Sequence, residues 1–500
     1  MKNEVLLFTG LSFDEFSRGA GAYRIATELR KNGYEVQVID MYPILSRVGL
    51  HLIEKIIDKY VTKNTLWVGF STTFFALNRD NHKAKNLHKR DFIENGLMFS
   101  YEEALSLKNK ITLKSPGCKI VIGGNNSNRY DFLGIVDVYV QGYADTTVVE
   151  ISQWMQGKNH FIPLLKNPDG SVSVTHDIKG SRFDFNSSEI IFTKQDHIFD
   201  KEALPIEIAR GCLFSCTFCH HPLLGKKKLD YIRDAEKIRE ELIRNYEMFG
   251  TTTYMFADDT FNDSVEKLEI LYNHVFSKLP FKIQFHCYCR LDLIAAHPES
   301  IELLENIGLG GVFFGVESLN YKSAKFVGKG IKTEKAIDTL HLLHERWKNK
   351  INITVSGIVG LPHETEKSVT EWLDYLSSPT APLDTLLVFP LFIHKENHHI
   401  WQSDFEQNFE KYGYSWTDSD GWLSPTGMTE SIANGISAEY MEKSEQNGKF
   451  KINSWAIPGF MNLGFEKDYL LQVSKKQLIE TTDMRERKRN LVRSYLGKIL

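Results

Sequence analysis

Residues 205–225 read PIEIARGCLFSCTFCHHPLLG. Cys212, Cys216 and Cys219 share one short loop, directly after a run bearing Ile206 and Ile208 that ends in Arg210-Gly211. The run reads as a strand, and the glycine as the turn releasing it into the loop. Three thiolates on one loop suit three irons of a [4Fe–4S] cube, and the spacing offers no fourth cysteine for the last iron. That iron keeps an open position, the feature that separates a catalytic metal from a structural one. The same triplet also fits a structural zinc ion, with His220 or His221 as fourth ligand. Zinc asks nothing of the residues downstream, whereas the cube asks for a binding frame around it.

A chain of 500 residues exceeds a single core and predicts about three domains. Hydrophobic content of 42% and charged content of 25% are those of a soluble globular protein. A net charge of −4 supplies no global attraction to nucleic acid or to an anionic membrane. No uncharged apolar run reaches the roughly 20 residues of a membrane span, and MKNEVLLFTGLSFDEF lacks the layout of a signal peptide. A cytoplasmic protein is expected. Six cysteines, three of them clustered, do not form a disulfide framework, which fits a reducing compartment.

Outward from the cysteine loop, residues 1–155 read as a small doubly wound α/β domain. Strands are predicted at 4–8, 34–40, 65–71, 118–124 and 136–142, and helices at 21–33, 46–62 and 145–155. Residues 78–112 read as a helical insertion. Ligands of such sheets sit beyond the carboxyl ends of the strands, where Gly123, Gly124 and Gly142 let backbone approach closely; these glycines fit tight turns equally well. Residues 156–200 form a polar linker with an Asn-Pro-Asp-Gly turn between short extended runs. Residues 201–395 hold six strand-like runs, at 205–210, 253–259, 283–290, 310–318, 353–360 and 385–391, separated by helical patterns. That is a partial (β/α)6 barrel, with reactive groups expected at the strand carboxyl ends. Residues 396–500 are aromatic-rich and then helical, either covering a site mouth or forming a satellite core.

The ordered strand-end motifs CLFSCTFC, MFADDTF, CYCRLDL, FGVESLN and IVGLPHET resemble the radical S-adenosylmethionine (radical SAM) superfamily over about residues 200–390. The resemblance implies that Cys212, Cys216 and Cys219 hold the cluster and that SAM chelates its open iron. It places Phe218 against the adenine, Asp258 and Asp259 at the SAM amino group and Arg290 at its carboxylate. Glu317 and Ser318 then meet the ribose or amino group, and Gly357 backs the adenine. Each has a plainer reading: loop packing for Phe218, a helix cap for the Asp pair, and an ion pair with Asp292 or Glu317 for Arg290. His363 stands where the family often has glycine.

The segments GAYRIATELRKNGYEVQVID, IVIGGNN and DVYVQGYADTT resemble the cobalamin-binding domain ahead of some radical enzymes. Gly21, Tyr23, Gly123, Gly124 and Gly142 would be its contacts. The lower-ligand motif Asp-x-His-x-x-Gly is missing from the first loop, SFDEFSRGAG, so any cobalamin would bind without a protein histidine. Together the resemblances imply SAM cleavage that starts radical chemistry on an unactivated carbon, with cobalamin-dependent methyl transfer as its outcome. A reductant such as flavodoxin or ferredoxin would be the partner. The alternatives are cobalamin-independent rearrangement, cyclisation or oxidation, and a non-catalytic iron–sulfur or cobalamin sensor. A second cluster is disfavoured because only Cys118 precedes the loop. Cys287 and Cys289 alternate on one strand and would be radical relays only if their face lined the barrel.

Overall fold

The computed structural model describes residues 3–10, 17–47, 50–71, 76–77, 98–99, 101–124, 134–158, 164–175, 184–219, 229–393 and 402–500. The chain packs as two units. One holds Met1–Pro205, His398–Ile400 and Glu486–Leu500, and the other Ile206–Asn397 and Trp401–Arg485. This division differs from the expected boundaries: the C-terminal stretch is shared between the units instead of standing apart.

In the first unit the sheet contains β1 (Val5–Thr9), β2 (Val36–Asp40), β3 (Trp67–Ser71), β4 (Lys119–Gly123), β5 (Val138–Gln141), β6 (Leu164–Lys166) and β7 (Val172–Thr175), in the order β2-β1-β3-β4-β5-β7-β6. The pairings are parallel except β6 with β7, so residues read as linker extend the sheet by two strands. Every residue of β1 and β2 is buried, as parallel strands covered on both faces must be. The chain doubles back between β1 and β3, the switch point of the doubly wound plan. Helices α1 (Ala20–Lys31), α2 (Leu50–Tyr60), α3 (Tyr101–Lys114) and α4 (Thr147–Met155) belong to the same unit, as do residues 486–500. Most of the expected insertion, residues 78–97, and residues 11–16 of the first loop lie outside the described residues.

The second unit has one six-stranded sheet in sequence order: β8 (Leu204–Ile206), β9 (Thr253–Phe256), β10 (Gln284–Cys289), β11 (Leu309–Glu317), β12 (Asn352–Val359) and β13 (Thr385–Pro390). Its ladders from β9 to β13 are parallel. Helices α5 (Ala235–Phe249), α6 (Val265–His274), α7 (Leu291–Ala296), α8 (Ser300–Ile307), α9 (Tyr321–Phe326), α10 (Thr333–Trp347) and α11 (Glu366–Leu376) fill the connections. Side-chain alternation sorts the two faces. Phe285 stacks on Phe256 at 4.3 Å on the helix side, and Phe256 in turn meets Phe261 and Phe276. Cys287 and Cys289 follow Phe285 in parity and lie buried, with sulfurs 3.5 Å apart. That face does not line the barrel, so the relay condition fails.

The opposite, inner face is partly filled by residues 449–462. Asn352 Nδ2 donates to the Ile452 carbonyl (3.2 Å), Ser454 N donates to Thr354 Oγ1 (2.8 Å), and the Trp455 ring lies 4.7 Å from that of Tyr288. The other C-terminal aromatics form a satellite core: Phe405, Phe409, Tyr414 and Trp422 pack in a chain of ring contacts. Tyr414 Oη donates to the Gly360 carbonyl at 2.7 Å, and Phe405 N donates to the Thr217 carbonyl at 2.8 Å. The aromatic stretch thereby braces the cysteine loop.

Candidate functional site

Strand β8 delivers the cysteine loop, and Asp258 fixes that delivery. Its Oδ1 accepts from the backbone N–H groups of Ile208 (2.9 Å) and Ala209 (3.0 Å), and its Oδ2 lies 3.3 Å from Lys267 Nζ. Lys267 also pairs with Asp263 at 3.4 Å, and all three side chains are buried. Burial pushes the Asp258 carboxyl upward against the pull of Lys267, whose ammonium the two carboxylates hold protonated. Asp258 is therefore engaged by the protein's own groups, while Asp259 beside it is only half-buried.

Within the loop, Cys219 N donates to the Cys216 carbonyl (3.0 Å), and Cys212 Sγ lies 3.4 Å from Thr260 Oγ1 in the loop that follows β9. Cys212 is buried, while Cys216, Phe218 and Cys219 are half-buried. Arg290, just past β10, donates to Cys216 Sγ from Nη1 at 3.2 Å and stacks over Phe214 at 4.0 Å. Its Nε and Nη2 hold Asp292 (3.0 and 2.6 Å), and Nη2 also donates to the Gly328 carbonyl (2.7 Å). The plainer expectation of an Arg290–Asp292 ion pair is what the geometry contains. Asn262 clamps the Arg290 backbone at both N–H and carbonyl. Gly328, at φ +84°, lets the 326–330 loop pass close to Cys216.

Glu317 ends β11 with φ +67°, a left-handed conformation costly for a residue with a side chain. It turns its carboxylate back over Gly315, with Oε1 3.6 Å from Lys329 Nζ and Oε2 accepting from Ser356 Oγ at 3.3 Å. Burial raises the Glu317 carboxyl, and Lys329 opposes the rise. Ser318 points elsewhere, donating to Glu364 Oε1 at 2.5 Å. Glu364 also accepts from Trp372 Nε1 (3.3 Å), its Oε2 lacks a hydrogen-bond partner among the described residues, and burial raises its carboxyl to about 8. Gly357 lies against the Trp372 ring, where a Cβ would come within 2.6 Å. His363 takes φ +70°, the conformation that makes glycine easy at that position.

The structure thus gathers the cysteine loop, Arg290, Glu317 and Lys329 at neighbouring strand ends and turns Asp258, Ser318 and Gly357 toward internal packing. Lys329, Lys267, Thr260 and Asn262 escaped the sequence reading. Lys329 in FVGKG had a signal, a lysine between loop glycines; Lys267 looked like any helical lysine until folding buried it.

In the first unit, Gly123, Gly124 and Gly142 meet at the carboxyl ends of β4 and β5, with Gly124 at φ +121° and Gly142 at φ +83°. Gly21 stands exposed on α1. Tyr23 is buried, its hydroxyl accepting from Arg18 (2.5 Å) and donating to Asp40 (3.2 Å).

Among the described residues no three His, Cys, Asp or Glu side chains gather as an ion's ligands. A single ion needs its donors around one point; a cube takes each thiolate on a different iron. Three cysteines on one loop, with a guanidinium against one sulfur, are a donor set that fits a cube. Residues 206–376 match the model described as Radical SAM superfamily. The chain carries a radical SAM domain. A protein of Methanocaldococcus jannaschii named as a methylthiotransferase is 28% identical over 197 residues, 37% of this chain and 40% of that one. An uncharacterized methyltransferase of Pyrococcus horikoshii is 29% identical over 32% of this chain and 34% of its own. The matches span well under half the length of these two relatives. Among solved structures, the radical SAM methyltransferase TsrM of Kitasatospora setae, with cobalamin and a [4Fe-4S] cluster bound, superposes with TM-score 0.56 at 15% identity over 99% of both chains. The cobalamin-dependent S-adenosylmethionine radical enzyme OxsB gives 0.55 at 16% identity, over 99% of this chain and 71% of that one. At such identities the likeness is one of fold, and it extends beyond the radical SAM domain.

Proposed function

We propose that the chain is a radical SAM enzyme in which Cys212, Cys216 and Cys219 hold a [4Fe–4S] cluster and the radical it generates serves cobalamin-dependent methyl transfer. The observation that carries the reading is the three-cysteine loop at the carboxyl end of β8, with Arg290 donating to Cys216. When bound, the cluster supplies one electron to the sulfonium of SAM, whose C–S cleavage gives methionine and a 5′-deoxyadenosyl radical. The protein's own part is positioning. Arg290 stabilises negative charge on Cys216 and holds the 326–330 loop by the Gly328 carbonyl; Glu317 offers a carboxylate to the ammonium of SAM. Half-buried Phe218 offers a ring face to the adenine.

Methyl transfer is favoured over rearrangement or oxidation by the doubly wound first unit, whose Gly123, Gly124 and Gly142 leave the strand ends without side chains. Methylcobalamin would there supply the methyl group. Thiomethylation by a second cluster is disfavoured, since Cys118 is the sole cysteine ahead of the loop and is buried. Anaerobic reconstitution tests the reading. About four irons per chain and 5′-deoxyadenosine formation are expected, with both lost in Cys216→Ala, and added cobalamin should give a protein-bound cobalt(II) signal. Wild-type protein that binds iron yet never cleaves SAM refutes it; cleavage without corrinoid binding leaves only the cobalamin-independent alternative.

A further inference from the structure

The inner face of the second unit's sheet carries a feature the cluster site does not use. On β10 and β11, Tyr288 and Phe313 pair in register with ring centroids 5.0 Å apart, edge to face, and Trp455 of the C-terminal segment lies 4.7 Å from Tyr288. All three are half-buried, while His286 and Ile452 beneath them are fully buried, as is Thr354, in register with Phe313 on the next strand. Three large rings therefore keep surface open above a closed floor. By strand alternation Ile358, Leu387 and Phe389 continue this face, and Phe389 is 38% exposed. The wall is continuous with the cluster site. Tyr288 precedes Arg290 by two residues, about 7 Å along a strand, and Phe313 precedes Gly315, over which Glu317 and Lys329 pair. Those two charges compensate one another, and His286 below is buried.

We infer that Tyr288, Phe313 and Trp455 form the substrate subsite of the barrel and that it takes an uncharged, planar aromatic ring. Aromatic rings packed edge to face favour another flat π-system over a saturated one of similar size, because ring quadrupoles add to area burial. Among the described residues Tyr288, Phe313 and Trp455 carry no charge themselves, and the ion pair nearest to them along β11, Glu317 with Lys329, lies toward the cluster site. Trp455 lies outside residues 206–376, so the C-terminal segment, and not the radical SAM domain, supplies part of the specificity. The inference rests on the radical SAM reading for its chemistry, but ring binding does not.

The test uses the full chain, reconstituted anaerobically with SAM, and fluorine NMR titration of 6-fluoroquinoline against fluorocyclohexane. Saturable binding of 6-fluoroquinoline is expected, weakened about 5-fold in Trp455→Leu and in Phe313→Leu, with fluorocyclohexane binding much more weakly. Either variant suffices if the other fails to fold. Absent 6-fluoroquinoline binding, equal binding of the saturated ring, or affinity unchanged in the variants overturns the inference. SAM cleavage by wild-type protein is assayed in the same preparation. Its failure would remove the radical reading and leave the ring subsite judged by the fluorine data alone.

Discussion

Gly315 and Gly357 are both glycines on strands of one sheet, yet their side chains are missing for opposite reasons. A Cβ at Gly315 would fall 2.3 Å from Glu317 Oε1, the movable end of a flexible side chain, whereas one at Gly357 would strike the rigid Trp372 indole at 2.6 Å. Gly315→Ala is therefore expected to cost under about 1 kcal/mol of stability while displacing the Glu317 carboxylate, lowering SAM cleavage roughly 10- to 100-fold. Gly357→Ala is expected to cost about 1–3 kcal/mol through overpacking. Denaturant melts paired with 5′-deoxyadenosine assays separate the two. Glu364 makes a second residue-scale prediction. Its folded carboxyl, at about 8, lies above the ordinary carboxylate value, because burial dominates over the Ser318 and Trp372 hydrogen bonds. Between the ordinary carboxylate range and pH 8 the folded state binds more protons than the unfolded one, so stability must fall as pH rises through that window, by up to about 1.4 kcal/mol per unit. Glu364→Gln should flatten the slope, read from denaturation midpoints at pH 5 to 8.5.

At the scale of elements, the ties between β8, β9 and α6 pass through one buried ammonium. Removing Lys267 strands the carboxylates of Asp258 and Asp263 without their counter-charge. Lys267→Met is expected to destabilise the second unit by about 3–5 kcal/mol, more than an exposed lysine would. It should also loosen the cysteine loop, since Asp258 holds the Ile208 and Ala209 amides; iron content per folded chain after reconstitution checks this. The strands themselves were legible as short β-branched and apolar runs, because parallel strands buried on both faces are apolar nearly throughout. That Asp258 would brace backbone was not legible. An acidic pair after a strand looks the same whether it meets a ligand or a buried lysine, and only the burial of Lys267 on α6 distinguishes them.

Over the whole molecule, the C-terminal residues 486–500 belong to the first unit. Tyr495 is fully buried there, its hydroxyl accepting from Asp40 N at 3.1 Å, and Lys498 lies over the Phe199 ring at 4.2 Å. Tyr495→Ala should destabilise that unit by about 3 kcal/mol through the cavity left behind, lowering its unfolding midpoint. No helix among the described residues is long and apolar enough to cross a membrane. By itself, the sequence determined what depends on local pattern: alternating strands, helical periodicity, and three cysteines spaced to share one loop. Those features follow from neighbours in the chain, so composition and spacing carry them. Tertiary structure alone decided which polar groups face the site and which are spent internally. Asp258 and Ser318 are committed to Lys267 and Glu364, while Lys329 joins Glu317 over Gly315. It also decided that residues 449–462 enter the inner face of the sheet and set Trp455 against Tyr288. The physical reason is shared: a side chain's partner comes from residues 9 to 167 positions away, and folding brings them into contact.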